Sequence, residues 1–364
     1  MFFTYGMSLT QWEKGGLFER EVALYRQLRP HLGGITFVTH GDRRDLAFAE
    51  RLPGIDIVCN RWNLPPAWYR RHLTWMPARW KAGNVVFKSN QVKGADWGLS
   101  VARHAGRPFI ARCGYLLSDY INWRNGATSN EACQASAQEK AIFGDADRVV
   151  VTTVAQQRIA VEEHGLAVDK IRVIPNYVDT EQFSPASSPA PPNRLISVGR
   201  LEPQKNLLAL VEALAGLNVE LWLVGEGSLR EPIRQLADSL RVPVRLFGVV
   251  PHARLPELFR QCTLMLLPSL WEGHPKTLLE AMACGMPVIA GRIPALHGVV
   301  THRENGFLCG LTPEEIRAAV LEVLGDAGLR AHMGGTARRE ALEHLSLPVI
   351  VERELALLRE LSDR

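Results

Sequence analysis

The sequence has no long apolar run. Nothing in it approaches the ~20 residues that cross a bilayer, which sets aside an integral membrane protein. No leader is expected either: MFFTYGMSLTQWEKGG has no basic n-region, its apolar run breaks early, and no small-residue cleavage site follows. Cysteine is sparse. Cys59, Cys113, Cys133, Cys262, Cys284 and Cys309 are scattered without CxxC or Cys/His ligand spacing, which argues against a disulfide framework and against zinc. Three lie in or beside apolar runs, where a thiol behaves as a small hydrophobe, so buried, reduced cysteines and a cytoplasmic chain are expected. Charge of one sign is scarce too. A net charge of +4 demands no nucleic-acid partner. What is present is length: 364 residues suffice for two domains, each with its own core.

Short apolar runs alternate with helical patterns from end to end, as in parallel sheets built from βαβ units. Strands are expected at 2–7, 35–40, 55–60, 85–88, 108–112, 149–153 and 171–175. A helix after the first is entered through Gly15-Gly16 and carries Leu17, Leu24 and Leu28 on one stripe. PASSPAPPN at 185–193 has the texture of an extended linker. A second series follows at 195–199, 221–225, 244–248, 264–268, 287–290 and 307–309. The expected organisation is therefore an α/β fold with Rossmann-like domains at 1–184 and 194–345. The terminal helix at 346–364, with Val351, Leu355 and Leu358 on one face, is expected to pack back toward the first domain.

The chemistry concentrates in LLPSLWEGHPKTLLEAMACGMPVIAG, residues 266–291. A buried strand ends at Pro268, a loop carries Glu272 and Gly273, and a helix starts near His274-Pro275, proline being tolerated in a first turn. Leu278, Leu279 and Met282 point inward and Gly285 supplies a stop. Backbone N–H groups at Gly273, His274, Lys276 and Thr277 would then face the C-terminal edge of a parallel sheet, a place suited to phosphate. Glu272 and Glu280 flank this terminus. Eight helical residues would separate them by ~12 Å, well beyond the ~5 Å of a double-displacement glycosidase pair. They suit opposite ends of one long ligand with phosphates between, the shape of a nucleotide sugar. In ISVGRLEPQKN, Gly199 permits close backbone approach. Arg200 and Lys205 are expected at the same edge, where two cations would offset the charge of a breaking sugar–diphosphate bond.

These segments resemble the nucleotide-binding domain of family-4 retaining glycosyltransferases of the GT-B fold. The shared marks are Glu272…Glu280 (a Glu–seven residues–Glu motif), Gly199-Arg200…Lys205 and Gly225-Glu226-Gly227, over about residues 195–307. The first half is similar more loosely, through Gly15-Gly16 and Ile174-Pro175-Asn176…Asp179. The resemblance implies two Rossmann-like domains facing across a cleft, and retaining transfer of a sugar from a nucleotide-diphosphate donor to a glycan or lipid-linked acceptor. It implies no cofactor and no bound metal. It places Glu280 on the ribose hydroxyls, and Glu272, Gly273, His274, Pro275, Lys276 and Thr277 around the donor sugar. Arg200, Lys205, Gly199 and Gly16 would surround the diphosphate, with the backbone near Val249 on the base. Many members carry a histidine after the strand matching 108–112. Here Arg112-Cys113-Gly114-Tyr115 stands there, leaving Arg112 and Tyr115 as acceptor-side candidates. Two other readings stay open, a non-hydrolysing sugar-nucleotide epimerase and a non-catalytic nucleotide-sugar-binding protein.

RWNLPPAWYRRHLTWMPARWK, residues 61–81, holds four of the nine tryptophans and five Lys/Arg (Arg61, Arg70, Arg71, Arg79, Lys81), with no acidic residue. Such interleaving suits the headgroup region of an anionic membrane, which would put peripheral association at the inner face of the cell membrane among the partners. Tryptophans packed on the core beneath solvated arginines, or an acidic polysaccharide acceptor, are the alternatives.

Overall fold

Apolar runs rich in Val, Ile and Leu become parallel strands here because helices cover both faces of the sheet, so both sets of side chains are buried. The computed structural model describes residues 1–76, 80, 83–187 and 193–362. Its two units are Met1–Pro175 with Val351–Arg364, and Asn176–Ile350.

In the second unit the strands are β7 (Arg194–Val198), β8 (Glu220–Val224), β9 (Val244–Gly248), β10 (Leu264–Leu267), β11 (Val288–Gly291) and β12 (Phe307–Cys309). Their order across the sheet is β9-β8-β7-β10-β11-β12, all pairs parallel. This is the doubly wound Rossmann order, whose winding direction reverses between the first and fourth strands, here β7 and β10. Successive side chains alternate between two cores. Ile196, Val198, Met265 and Leu267 pack with helix Lys276–Ala283, while Leu195, Leu264 and Leu266 pack on the opposite face.

The first unit holds β1 (Ile35–Val38), β2 (Ile55–Val58), β3 (Phe87–Lys88), β4 (Phe109–Cys113), β5 (Arg148–Val151) and β6 (Ile171–Val173), paired as β1-β2 and β3-β4-β5-β6. The strand expected at 2–7 contracts to Phe2, which bridges Val38 and Ser89 and so joins the two sheets. The chain leaves the extended path at a Tyr5-Gly6 turn, because Ser8 caps helix Leu9–Lys14 by accepting from the Gln11 N–H.

Two boundaries differ from expectation. The division falls at Pro175/Asn176 rather than at 184/185, because residues 176–184 fold with the second unit. Val178 N donates to Leu345 O at 2.9 Å and its carbonyl accepts from Leu347 N at 3.0 Å. Phe183 is fully buried against Phe259 and His252. Of the expected linker, residues 188–192 lie outside the described residues. The terminal helix, Leu347–Ser362, starts in the second unit and counts with the first from Val351 onward. It buries Leu347, Ile350, Val351, Glu354, Leu355, Leu357 and Leu361, so Val351 and Leu355 are inside as expected and only Leu358 is half-buried. A carboxylate is buried alongside these apolar residues because Lys88 reaches it, Nζ lying 2.5 Å from both Glu354 oxygens in a buried pair.

No described helix is long and apolar enough to cross a membrane. Of the cysteines only Cys133 is exposed. Burial pushes the thiol of Cys59 up to about 11 and those of Cys262, Cys284 and Cys309 up to about 12, which keeps them protonated and inert.

Removing one member of a buried ion pair leaves an uncompensated charge, whereas replacing both by apolar groups does not. Glu354→Ala is therefore expected to lower stability by ~3–5 kcal/mol in urea denaturation, with most of the loss recovered in Lys88→Met/Glu354→Leu. Equal destabilisation by the single and double variants would contradict this account.

Candidate functional site

The βα turns after β7 and β10 lie side by side because their strands are neighbours, with Leu264 opposite Leu195 and Met265 opposite Ile196. Open α/β sheets bind ligands outside the strand C-termini where the winding reverses. Here that position holds the Gly199–Lys205 turn and the Ser269–Pro275 loop. Lys205 Nζ is in direct contact with Glu272 Oε1, the same oxygen that accepts from Ser269 Oγ at 2.7 Å. Arg200 Nη2 donates to Gln204 Oε1 at 3.2 Å, and Gln204 Nε2 donates to Trp271 O at 2.8 Å. Both cations and Glu272 are thus brought together by hydrogen bonds that cross between the two turns.

Gly225 keeps this arrangement close-packed. Its φ of 137° lies where side-chain-bearing residues rarely go, and a Cβ there would lie 1.9 Å from Gly199 O. The Gly225-Glu226-Gly227 segment thus buttresses the β7 turn: Gly225 N donates to Gly248 O and Leu201 N to Glu226 O.

Helix Lys276–Ala283 starts later than the sequence pattern implied, with Pro275 as its N-cap. Glu272 is therefore a loop residue, and only the stretch from Lys276 to Glu280 is helical. Glu272 and Glu280 are both buried. The Glu280 Oε1 contacts His252 Nε2 at 2.8 Å. His252 escaped the sequence reading, since it follows β9 in an irregular stretch and nothing local marks it. Val249, just before it, is exposed. His274 is held from behind: its Nδ1 accepts from Asn176 N at 3.1 Å, and its carbonyl accepts from Asn176 Nδ2 at 2.8 Å. That acceptor role puts the proton of a neutral ring on Nε2. Thr277 Oγ1 donates to Val198 O at 3.1 Å, tying the helix start to the end of β7. Lys276 Nζ lies 5.9 Å from the centre of the Tyr177 ring.

Gly16, Arg112 and Tyr115 belong to the first unit. Gly16 is in the left-handed region at φ 66°, between helices Leu9–Lys14 and Phe18–Leu28. Arg112 Nη1 donates to Asn90 O at 3.1 Å, and the Tyr115 carbonyl accepts from Cys113 Sγ at 2.9 Å while its ring is exposed. The same unit carries a polar pocket of about 370 Å³ lined in part by Ser8, Thr10, Lys14, His40, Asp45 and Asn60. Three separate segments of the chain build it, a helix among them, which is why no sequence motif announced it. Its floor is fixed by buried Asp45, whose carboxylate accepts from Leu9 N, Thr10 N, Thr10 Oγ1 and Thr39 Oγ1. Burial lowers the His40 pKa to about 4, outweighing the nearby Asp96 charge, so this ring is neutral at neutral pH.

Residues 178–340 match the family described as glycosyl transferases group 1. The D-inositol 3-phosphate glycosyltransferase of Acidothermus cellulolyticus is 34% identical over 221 residues, covering 54% of this chain and 49% of that protein. The protein of the same name from Kineococcus radiotolerans is 31% identical over 300 residues, covering 66% of this chain and 69% of that one. Among solved structures, Anabaena HepE in complex with UDP-glucose superposes with a TM-score of 0.77 at 19% identity, covering 99% of each chain. Several of the curated relatives are matched over only about half of their length, two of them over 49% and 53%.

Fold and strand order define a GT-B protein built of two Rossmann-like domains. The chain belongs to the glycosyl transferases group 1 family.

His252 is a polar neighbour of a buried carboxylate, so losing it should cost roughly 1–3 kcal/mol. His252→Ala is expected to lower the melting temperature, and His252→Gln, which keeps a donor, to lower it less. Indistinguishable melting of wild type and His252→Ala would show that the contact carries no weight.

Proposed function

We propose that the protein is a retaining, metal-independent glycosyltransferase. It takes a sugar from a nucleoside-diphosphate donor to a glycan or lipid-linked acceptor, in the making of cell-surface polysaccharide or another glycoconjugate. The observation that carries the reading is the pairing of Lys205 with Glu272 at the winding reversal, Arg200 beside them, with a second buried carboxylate, Glu280, on the adjoining helix. Cations and carboxylates in one place suit a ligand that is anionic in its middle and hydroxylated at both ends. The UDP-glucose held by HepE is a molecule of that kind.

In the proposed step the bond between the anomeric carbon and the diphosphate oxygen breaks. The acceptor oxygen bonds to the same face of that carbon, and its proton passes to the departing phosphate oxygen. No side-chain nucleophile takes part. Arg200 and Lys205 offset the charge growing on the leaving diphosphate, where fixed cations act most strongly. Glu272, with Gly273, His274, Pro275, Lys276 and Thr277, holds the donor sugar. Glu280 accepts from the ribose, and backbone near Val249 meets the base. Gly199 and Gly16 give room to the diphosphate. Arg112 and Tyr115, with the polar pocket of the first unit, are the acceptor-side candidates. The site of work is proposed to be peripheral, at the inner face of the cell membrane.

Three measurements test the reading. Glu280→Ala should weaken binding of the preferred nucleoside diphosphate, found from a UDP, GDP and ADP panel, by roughly ten- to a hundredfold, the worth of a hydrogen bond to a charged group. Unchanged affinity would remove Glu280 from the ribose. Arg200→Ala and Lys205→Ala should mainly lower kcat, because the charge they meet is largest in the transition state. An effect confined to KM would make them ground-state anchors. NMR of the product should show the donor's anomeric configuration kept. Inversion, or conversion of donor in the absence of acceptor, would overturn the proposal.

A further inference from the structure

The tryptophan-rich stretch divides in the folded chain. Helix Pro66–Thr74 buries Tyr69 and Leu73, Tyr69 OH donating to Thr39 O at 2.9 Å. Trp80 is buried as well, its Nε1 donating to Leu73 O at 2.9 Å. The other three tryptophans point outward, Trp62 at 53% exposure, Trp68 at 62% and Trp75 at 63%. Core packing, the plainer alternative, thus accounts for one indole of the four.

Trp68 and Trp75 are two turns apart, so they project from one side of the helix at ~10 Å spacing. The exposed Arg71 lies between them. Trp62 joins the same patch: its ring is edge-on to His72 at 5.0 Å and carries the Arg61 guanidinium 4.2 Å from its centre. Trp75 lies 4.9 Å from the His104 ring. Arg70 is spent on Asp96 at 2.9 Å, and Arg79 and Lys81 lie outside the described residues. Among the described residues Arg61 and Arg71 therefore supply the patch's fixed charge, and the sequence has no acidic residue between Asp56 and Asp96.

We propose that Trp62, Trp68 and Trp75, with Arg61 and Arg71, form a docking surface for the headgroup layer of an anionic lipid bilayer. An indole with an apolar ring and one N–H donor belongs at such a boundary, and a guanidinium beside it meets lipid phosphate. The rings stand out from a helix rather than line a groove, so they suit a deformable surface better than a shaped partner. A second copy fits worse, because a two-fold contact would set Arg61 and Arg71 against their own like charges. This inference needs only the surface and stands apart from the transferase reading.

The test uses the full chain with phosphatidylcholine vesicles, with and without phosphatidylglycerol, at low and high salt. Nucleoside diphosphate binding and melting temperature serve as checks that the variants fold. Wild type should co-sediment with the anionic vesicles and lose much of that binding at high salt. Arg61→Gln/Arg71→Gln should bind them about 30-fold more weakly, at roughly fivefold per cation. Trp68→Ser/Trp75→Ser should bind at least tenfold more weakly while melting like wild type. No binding by wild type, or equal binding by the tryptophan variant, overturns the proposal. So does dimerisation abolished by the tryptophan variant, which would make this face a self-contact. Competition of vesicle binding by an acidic polysaccharide would likewise reassign the patch to a glycan.

Discussion

The second unit depends on one constraint: a lysine and a glutamate are held together, nearly out of solvent, where two neighbouring parallel strands end and the winding of the sheet reverses. Neither charge would be tolerated there alone. The pair is kept by its surroundings, with Ser269 on the same carboxylate oxygen, Gln204 linking Arg200 to the Trp271 carbonyl, and Thr277 fastening the following helix to β7. Gly225 contributes by absence, since any side chain would strike the Gly199 carbonyl and push the cation-bearing turn aside. A site built this way holds donors and acceptors in fixed positions before a ligand arrives, so little reorganisation accompanies a change of charge.

The first unit meets a similar demand in a different way. Lys88 sits at the end of a two-residue strand and is matched by Glu354 from the other end of the chain. Arg148 and Arg172 both reach Glu360 on the same terminal helix. These ion pairs let the last turns of the chain complete a unit begun by its first residues. Helix Pro66–Thr74 shows the opposite economy, giving Tyr69 and Leu73 to the interior while its other side keeps two large aromatic rings in water. So much indole exposed beside Arg61 and Arg71, which have no carboxylate partner among the described residues, is the observation on which the docking proposal rests.

Much was legible in the sequence because it is written locally. Alternation of short apolar runs with helical patterns reports βαβ units, and twelve of the thirteen expected strands stand within a residue or two of their forecast. The Leu266-to-Gly291 segment also declared its strand, loop, helix and stop through residues whose backbone preferences act on their immediate neighbours. Expectations failed where a remote partner or a competing local cap decided the outcome. The strand at 2–7 shrank because a side-chain cap at Ser8 competed with the ladder. The boundary moved to Pro175 because Val178 and Phe183 found partners more than seventy residues away. The last helix buries Val351 and Leu355 as expected, but takes Glu354 inside as well because Lys88 meets it there.

By itself, then, the sequence determined the architecture and the set of groups near the sheet edge, since periodicity, glycine and proline act over a few residues. Tertiary structure alone decided which of those groups meet. It paired Lys205 with Glu272 and His252 with Glu280, turned His274 toward Asn176, gathered three separate segments into a polar pocket, and put Trp62, Trp68 and Trp75 outside while burying Trp80. The reason is physical. A charge or an aromatic ring is placed by what neutralises or covers it, and that partner comes from wherever the folded chain returns, at a distance no local pattern records.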